Sequence, residues 1–148
     1  MSHTYCNCLF HVIFSTKERR TFPLEHMQHL LRYMAGIAKN NDFRMVIAGA
    51  ASDHVHLLLS LPTSIPVAKA VQLLKGGSSK WFNETYAESN FAWQQGFAVF
   101  TVSQSRLDVV REYVRNQENH HKKRDFKEEF IALLEKNGLA YDPRYVLG

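Results

Sequence analysis

The stretch from residue 43 to 61, FRMVIAGAASDHVHLLLSL, consists of two apolar segments separated by a few small and polar residues. Its β-branched and aliphatic residues predict two strands, Phe43 to Gly49 and His54 to Leu61. The four residues between them, Ala50 to Asp53, leave room only for a tight connection, so the two strands are expected to pair antiparallel.

Further strands and helices are predicted on both sides of this hairpin. Apolar residues at helical spacing predict the helices, and β-branched and aromatic runs predict the strands. In chain order the flanking elements are a strand from Tyr5 to Ser15, a helix from Leu24 to Lys39, a helix from Val67 to Tyr86, a strand from Phe97 to Val102, and helices from Leu107 to about His121 and from Phe126 to Lys136. The order βαββαβ, followed by helices, is that of the ferredoxin-like split βαβ fold. We therefore expect one α+β domain over residues 1–148, with an antiparallel sheet, helices on one face and a site on the exposed other face.

Composition narrows the class of protein. Apolar residues make up 45% and charged residues 22% of the 148 residues, as in an ordinary folded domain. No apolar run approaches the ~20 residues of a membrane span, and the N-terminus has no signal pattern, so we expect a cytoplasmic protein without a membrane partner. Cys6 and Cys8 are expected to be reduced thiols. The net charge of +4 mildly favours a polyanionic partner.

His54 and His56 stand two residues apart in an otherwise apolar strand. Residues i and i+2 of a strand share a face, with Cα atoms roughly 6.5 Å apart, while Val55 points into the core. Two imidazoles on one face can converge on one metal ion. Alternatively, they form hydrogen bonds as an ordinary polar pair, because buried polar rings need partners. The pair alone leaves both interpretations open.

Tyr113 and Gln117 lie four residues apart in the third predicted helix, so they stack on one face. A tyrosine nucleophile needs an accessible hydroxyl aimed at a polarised electrophile. The amide oxygen of a glutamine one turn away can complete a metal shell that two histidines leave open. By themselves these residues favour the simpler interpretation, a packed tyrosine beside a solvent-facing glutamine.

Basic residues form three local clusters, which either contact a polyanion or belong to the solvated surface. The clusters are Lys17, Arg19 and Arg20; Lys75 and Lys80; and Lys122, Lys123 and Arg124. Lys75 precedes Gly76 and Gly77, which cost helix stability of about 1 kcal/mol each relative to Ala. Two explanations for these glycines stay open: a close approach of the backbone to DNA, and a tolerated kink.

Several stretches, taken in order, carry a family resemblance. They are His11 to Lys17 (HVIFSTK), Asp53 to Leu59 (DHVHLLL), Leu74 to Gly76 with Ser78 and Ser79, Trp93 to Phe97 (WQQGF), Phe100 to Ser103 (FTVS) and Tyr113 to His121 (YVRNQENHH). The chain resembles the HUH single-tyrosine transposases of small bacterial insertion sequences and their repeat-associated relatives. The histidine pair, Trp-Gln-x-Gly and Tyr-x-x-x-Gln in this order make the resemblance specific. Phe97-Ala98 departs from the family, where many members have Tyr-Gly, but lies outside the catalytic set.

The resemblance implies a function and a set of site residues. His54, His56 and Gln117 would hold Mg²⁺ or Mn²⁺, and Tyr113 would attack the scissile phosphate of single-stranded DNA. A 5′-phosphotyrosyl link and a free 3′-hydroxyl would result, and strand transfer would be the reverse attack. The DNA would be the hairpin-bearing end of an element, and two subunits would share active sites in a homodimer. The predicted DNA-binding residues are Lys75, Ser79, Lys80 and Arg115.

Three alternative functions share some of these sequence features. A ferredoxin-like sheet can bind single-stranded nucleic acid without cutting it, but the histidine pair is then unexplained. The second alternative is a small-molecule metal enzyme, such as a phosphoesterase, but a two-histidine phosphoesterase would need a second His-x-Ser/Thr element, which the sequence lacks. A domesticated nuclease that processes genomic repeats stays within the same family.

Overall fold

A four-stranded antiparallel sheet forms the centre of the chain. A computed structural model describes residues 3–116 and 125–146. Its strands are β1 (Cys8–Ser15), β2 (Arg44–Ala50), β3 (His54–Leu61) and β4 (Ala98–Val102), in the spatial order β2-β3-β1-β4. Its helices are α1 (Leu24–Asn40), α2 (Val67–Thr85), α3 (Leu107–Arg115) and α4 (Phe126–Lys136), with short 3₁₀ helices at Lys17–Arg19 and Gln104–Arg106. The predicted βαββαβ order is confirmed.

Element boundaries agree closely with the sequence pattern. The bounds of β3 and α4 match the prediction, and those of α1, α2, β2 and β4 differ by one residue at one or both ends. β1 begins at Cys8 instead of Tyr5, because its partner β3 ends at Leu61, which pairs with Cys8. Tyr5 therefore has no strand to pair with and is 92% exposed. The structure describes α3 as far as Arg115, and the predicted continuation to about His121 falls largely outside the described residues.

Helices cover both faces of the sheet. The expectation that one face would be exposed is therefore wrong. The main core lies between one face and helices α1 and α2, and contains Phe14, Val55 and Leu57. On the opposite face, Ile13, Ala98 and Phe100 pack against α4 through the side chains Phe126, Phe130 and Leu134. Helix α3 covers β2 and β3 on that same face. The site therefore lies beneath α3 and α4.

Gly77 lets α1 and α2 approach closely. A Cβ atom at this position would lie 2.7 Å from Cδ1 of Ile37 on α1, so a larger residue would force the Ile37 side chain to shift. Packing thus accounts for Gly77. An added Cβ at Gly76 would meet no atom within 4 Å among the described residues. None of the described helices is both long and apolar enough to cross a membrane.

Candidate active site and metal centre

His54 and His56 face the α3 and α4 side of the sheet, as the alternation of β3 predicts. Both side chains are completely buried, and their ring centroids are 5.3 Å apart. Val55 between them points into the main core on the other face. The two histidines are therefore fixed by a central strand whose neighbours, β1 and β2, are paired along its length.

A buried carboxylate from α4 meets the histidine pair. Oε1 of Glu129 lies 2.6 Å from Nε2 of His56 and 3.8 Å from Nε2 of His54. Glu129 is only 4% exposed, and one ligand atom of each of the three residues lies within 4.8 Å of the other two. Imidazole nitrogen and carboxylate oxygen are both common ligands of divalent metals. The chemistry of this donor set fits a metal ion, so His54, His56 and Glu129 could hold one.

Hydrogen bonds at the far nitrogens orient both imidazoles. Nδ1 of His54 lies 2.8 Å from Oδ1 of Asp53, a buried carboxylate that accepts a hydrogen bond from the Nδ1–H group. Nδ1 of His56 lies 2.8 Å from Nε2 of His11, which projects from β1. A metal-binding histidine commonly has its second nitrogen held in this way, which fixes the ring and its tautomer. Each ring therefore directs Nε2 towards the Glu129 carboxylate.

His11 is neutral in this arrangement. Burial, and then the charge of neighbouring His56, lower the pKa of His11 to about 3. Its Nε2 atom can accept the Nδ1 proton of His56, which leaves Nε2 of His56 available as a ligand.

Tyr113 reaches the same cluster from α3. Its half-buried ring lies 5.6 Å from the His56 ring and 6.0 Å from the His11 ring, both edge-on. The next residue, Val114, is completely buried and anchors the helix to the sheet. One chain therefore brings Tyr113 to its own histidine pair. Gln117, the third predicted ligand, lies outside the described residues.

The predicted DNA-binding residues lie on helices that cover opposite faces of the sheet. Arg115 is exposed on α3, where it is 3.4 Å from Glu112. Lys75, Ser79 and Lys80 belong to α2, which packs on the opposite face of the sheet from the histidines. The structure therefore does not bring these three residues to the candidate active site. The basic cluster at residues 122–124 lies outside the described residues.

The side chain of Lys75 holds the loop that follows α2. Its Nζ donates to the backbone oxygens of Gln94 at 2.9 Å and Gly96 at 2.5 Å. It also lies 5.0 Å from the centre of the Phe14 ring, and burial lowers the pKa of Lys75 to about 8. Gln94 in turn accepts from the backbone N–H of Ser15 at 2.6 Å, so the WQQG segment fastens the end of β1.

We expect Lys75→Ala to lower the free energy of unfolding by about 1–2 kcal/mol, because two charge-assisted hydrogen bonds are lost. Urea denaturation measures this change, and Lys80→Ala, which removes an exposed side chain, is the matched control with a change of a few tenths. A Lys75 variant as stable as the Lys80 variant, but with weaker DNA binding, would assign Lys75 to the DNA instead.

The sequence patterns did not identify three residues of the site, namely His11, Asp53 and Glu129. The sequence positions of His11 and Asp53 could have indicated that they belong to the site. Asp53 directly precedes the histidine pair, and His11 is a polar residue in an apolar strand. Glu129 has no such feature in the sequence around it, because it lies in an ordinary amphipathic helix and contacts His56 across 73 residues of sequence.

Comparisons with known proteins relate this chain to a family of transposases. The profile of the family described as IS200-like transposases matches residues 4–117. The IS200 transposase of Salmonella typhimurium is 27% identical over 124 residues, which cover 79% of this chain and 81% of that protein. The ISDra2 transposase TnpA of Deinococcus radiodurans is 24% identical over 115 residues, covering 73% and 82%.

Two solved structures share the fold. A crystal structure of a candidate transposase from Deinococcus radiodurans has a TM-score of 0.63 and 25% identity, and the match covers 79% of this chain and 96% of that one. A REP-associated tyrosine transposase bound to a REP hairpin has a TM-score of 0.60 at 16% identity, covering 82% and 73%. The family profile includes β1, the histidine pair and Tyr113. The chain therefore belongs to the family of IS200-like transposases, the HUH tyrosine transposases that cleave single-stranded DNA.

Proposed function

We propose that this chain cuts and rejoins single-stranded DNA with Tyr113 as the nucleophile. The observation that carries the proposal is the position of the Tyr113 ring, 5.6 Å from the ring of His56 in the buried His54–His56–Glu129 group. A hydroxyl on a half-buried helix residue, beside a group that could hold a metal, is a suitable nucleophile for a phosphate that the metal would polarise.

In the proposed reaction, the Tyr113 oxygen forms a bond to phosphorus and the bond from phosphorus to the 3′-oxygen breaks. The tyrosine proton passes to a base, and the leaving 3′-oxygen takes up a proton. The products are a 5′-phosphotyrosyl link and a free 3′-hydroxyl. Attack by a 3′-hydroxyl on that link reverses both changes and releases Tyr113. One phosphodiester is exchanged for another, so no external energy source is needed.

The metal proposed for this site is Mg²⁺ or Mn²⁺, held by His54, His56 and a third protein ligand. Glu129 is in position for that role, and Gln117 remains a proposed ligand. A divalent cation supplies Lewis-acid polarisation and orientation of the scissile phosphate. Imidazole together with carboxylate suits Mn²⁺ better than Mg²⁺, which prefers an all-oxygen shell. The histidine side chains are completely buried, and we propose that a phosphate reaches the site when Glu129 or a covering helix shifts.

The proposed substrate is a DNA strand with a hairpin at the end of an element. The relative bound to a REP hairpin supports this proposal at the level of a shared fold. Among the proposed DNA-binding residues, Arg115 has the strongest support, since it lies two residues beyond Tyr113 on an exposed part of α3. Lys75, Ser79 and Lys80 would contact a part of the DNA remote from the scissile phosphate.

The test of the proposed function is a covalent adduct. The purified protein is incubated with a pool of single-stranded oligonucleotides and Mg²⁺ or Mn²⁺, then separated under denaturing conditions. We expect a protein–DNA band that a chelator abolishes. If no adduct forms with either ion while the pool still binds, the protein is a single-strand-binding module and the proposed chemistry is wrong.

The homodimer with shared active sites stays a prediction, and the single-chain geometry supports a different assignment. Because Tyr113 already lies against His56 of its own chain, we propose that each chain completes its own site. A mixture of Tyr113→Phe protein and His56→Ala protein should then show no cleavage. Each chain would complete its own site, so every site in the mixture would lack either the tyrosine hydroxyl or the His56 ligand. Substantial activity in the mixture, absent from either variant alone, would establish that subunits exchange their Tyr113 helices.

A further inference from the structure

A cleft of about 360 Å³ lies between α3 and α4, beside the end of β4. This volume is within the range of about 300–1,000 Å³ that small-molecule sites occupy. The side chains that matter for its chemistry are His11, Phe100, Thr101, Ser103, Arg106 and Lys136. The cleft is thus bounded by the sheet and by the two helices that cover the candidate active site.

His11 connects the cleft to the reacting groups. It lines the cleft, and its Nε2 atom is 2.8 Å from Nδ1 of His56. Its ring also lies 6.0 Å from the Tyr113 ring. A molecule in the cleft therefore lies one side chain away from both the proposed nucleophile and a proposed metal ligand.

The charge of the cleft suits a phosphate. Arg106 and Lys136 are exposed side chains at its edge, and no carboxylate lines it among the described residues. Arg115 and Arg144, by contrast, each lie within ion-pair distance of an acidic side chain, at 3.4 and 2.9 Å. Phosphate oxygens bind well to arginine and lysine side chains that have no competing carboxylate.

We propose that this cleft binds the nucleotide next to the scissile phosphate, with Arg106 and Lys136 contacting the phosphate of that nucleotide. Thr101 and Ser103 place hydroxyl groups where the sugar or a base edge can accept or donate hydrogen bonds. Val110, which is partly exposed, provides apolar surface for the base. The proposal rests on the proposed function, because His11 links the cleft to Tyr113 and His56.

Binding to a random-sequence single-stranded oligonucleotide pool tests the proposal. Fluorescence anisotropy is measured over a series of NaCl concentrations in the Tyr113→Phe background, so that no adduct accumulates. We expect Arg106→Gln and Lys136→Gln each to reduce the salt slope by about 0.7 and the double variant to bind about tenfold more weakly. Arg106→Lys, which keeps the charge, should restore most of the affinity.

The matched control is Arg32→Gln, which removes one exposed positive charge from α1 on the opposite side of the sheet. Salt slopes of the Arg106 and Lys136 variants equal to that of the Arg32 variant would overturn the cleft proposal, even if the wild type forms its adduct. Reduced slopes without any wild-type adduct would keep the cleft as a single-strand site and reject the Tyr113 chemistry.

Discussion

Tyr113→Phe is expected to abolish the covalent adduct and to lower single-strand cleavage by at least about a thousandfold, as loss of a nucleophile does in other enzymes. The substitution removes only the hydroxyl group. The ring that packs 5.6 Å from His56 and 6.0 Å from His11 is retained, so the helix and the site should keep their positions. Folding, ion binding and oligonucleotide binding should therefore match those of the wild type.

Adduct formation is followed on denaturing gels and cleavage with an end-labelled oligonucleotide. Tyr33→Phe is the matched control, because Tyr33 is 41% exposed and stacks on Trp81, away from the histidines. The control should cut at the wild-type rate. An adduct that survives Tyr113→Phe would show that another side chain attacks the phosphate.

His54→Ala and His56→Ala are expected to remove ion binding and to lower cleavage by more than about a hundredfold, because each loses a nitrogen ligand. Substitution of a residue that only orients such a ligand typically costs about 10–100-fold. Asp53→Asn, which weakens the hold on Nδ1 of His54, should therefore have the smaller effect. Isothermal titration with Mn²⁺ measures ion binding separately from activity.

A substitution of Glu129 tests which residue is the third protein ligand of the metal. Glu129→Gln keeps the size of the side chain but removes its charge, so it should weaken Mn²⁺ binding more than Gln117→Ala if Glu129 completes the site. The reverse order would assign that role to Gln117. Stability must be followed by urea denaturation, because His56→Ala also removes the 2.6 Å partner of a buried carboxylate. Full cleavage by a folded histidine variant would exclude the metal assignment.

Much of the fold could be predicted from local patterns. The alternation in β3 has a period of two residues, so His54 and His56 had to share a face and Val55 had to occupy the other. Apolar spacing located the helices, and the tight connection before His54 indicated an antiparallel hairpin. The motif Tyr-x-x-x-Gln singles out Tyr113 in the sequence, and the tertiary structure places its ring beside His56.

Contacts between segments that are distant in sequence could not be predicted from local patterns. Glu129 meets His56, and Lys75 holds the loop at Gln94 and Gly96, and neither contact has a signature in the residues that surround it. The covering of the second sheet face by α3 and α4 likewise depends on Ile13, Ala98 and Phe100 finding apolar partners late in the chain. Periodicity specifies which face of an element a side chain occupies, because backbone geometry is local. It does not specify which other element covers that face, because burial is satisfied by any complementary surface that the chain can bring there.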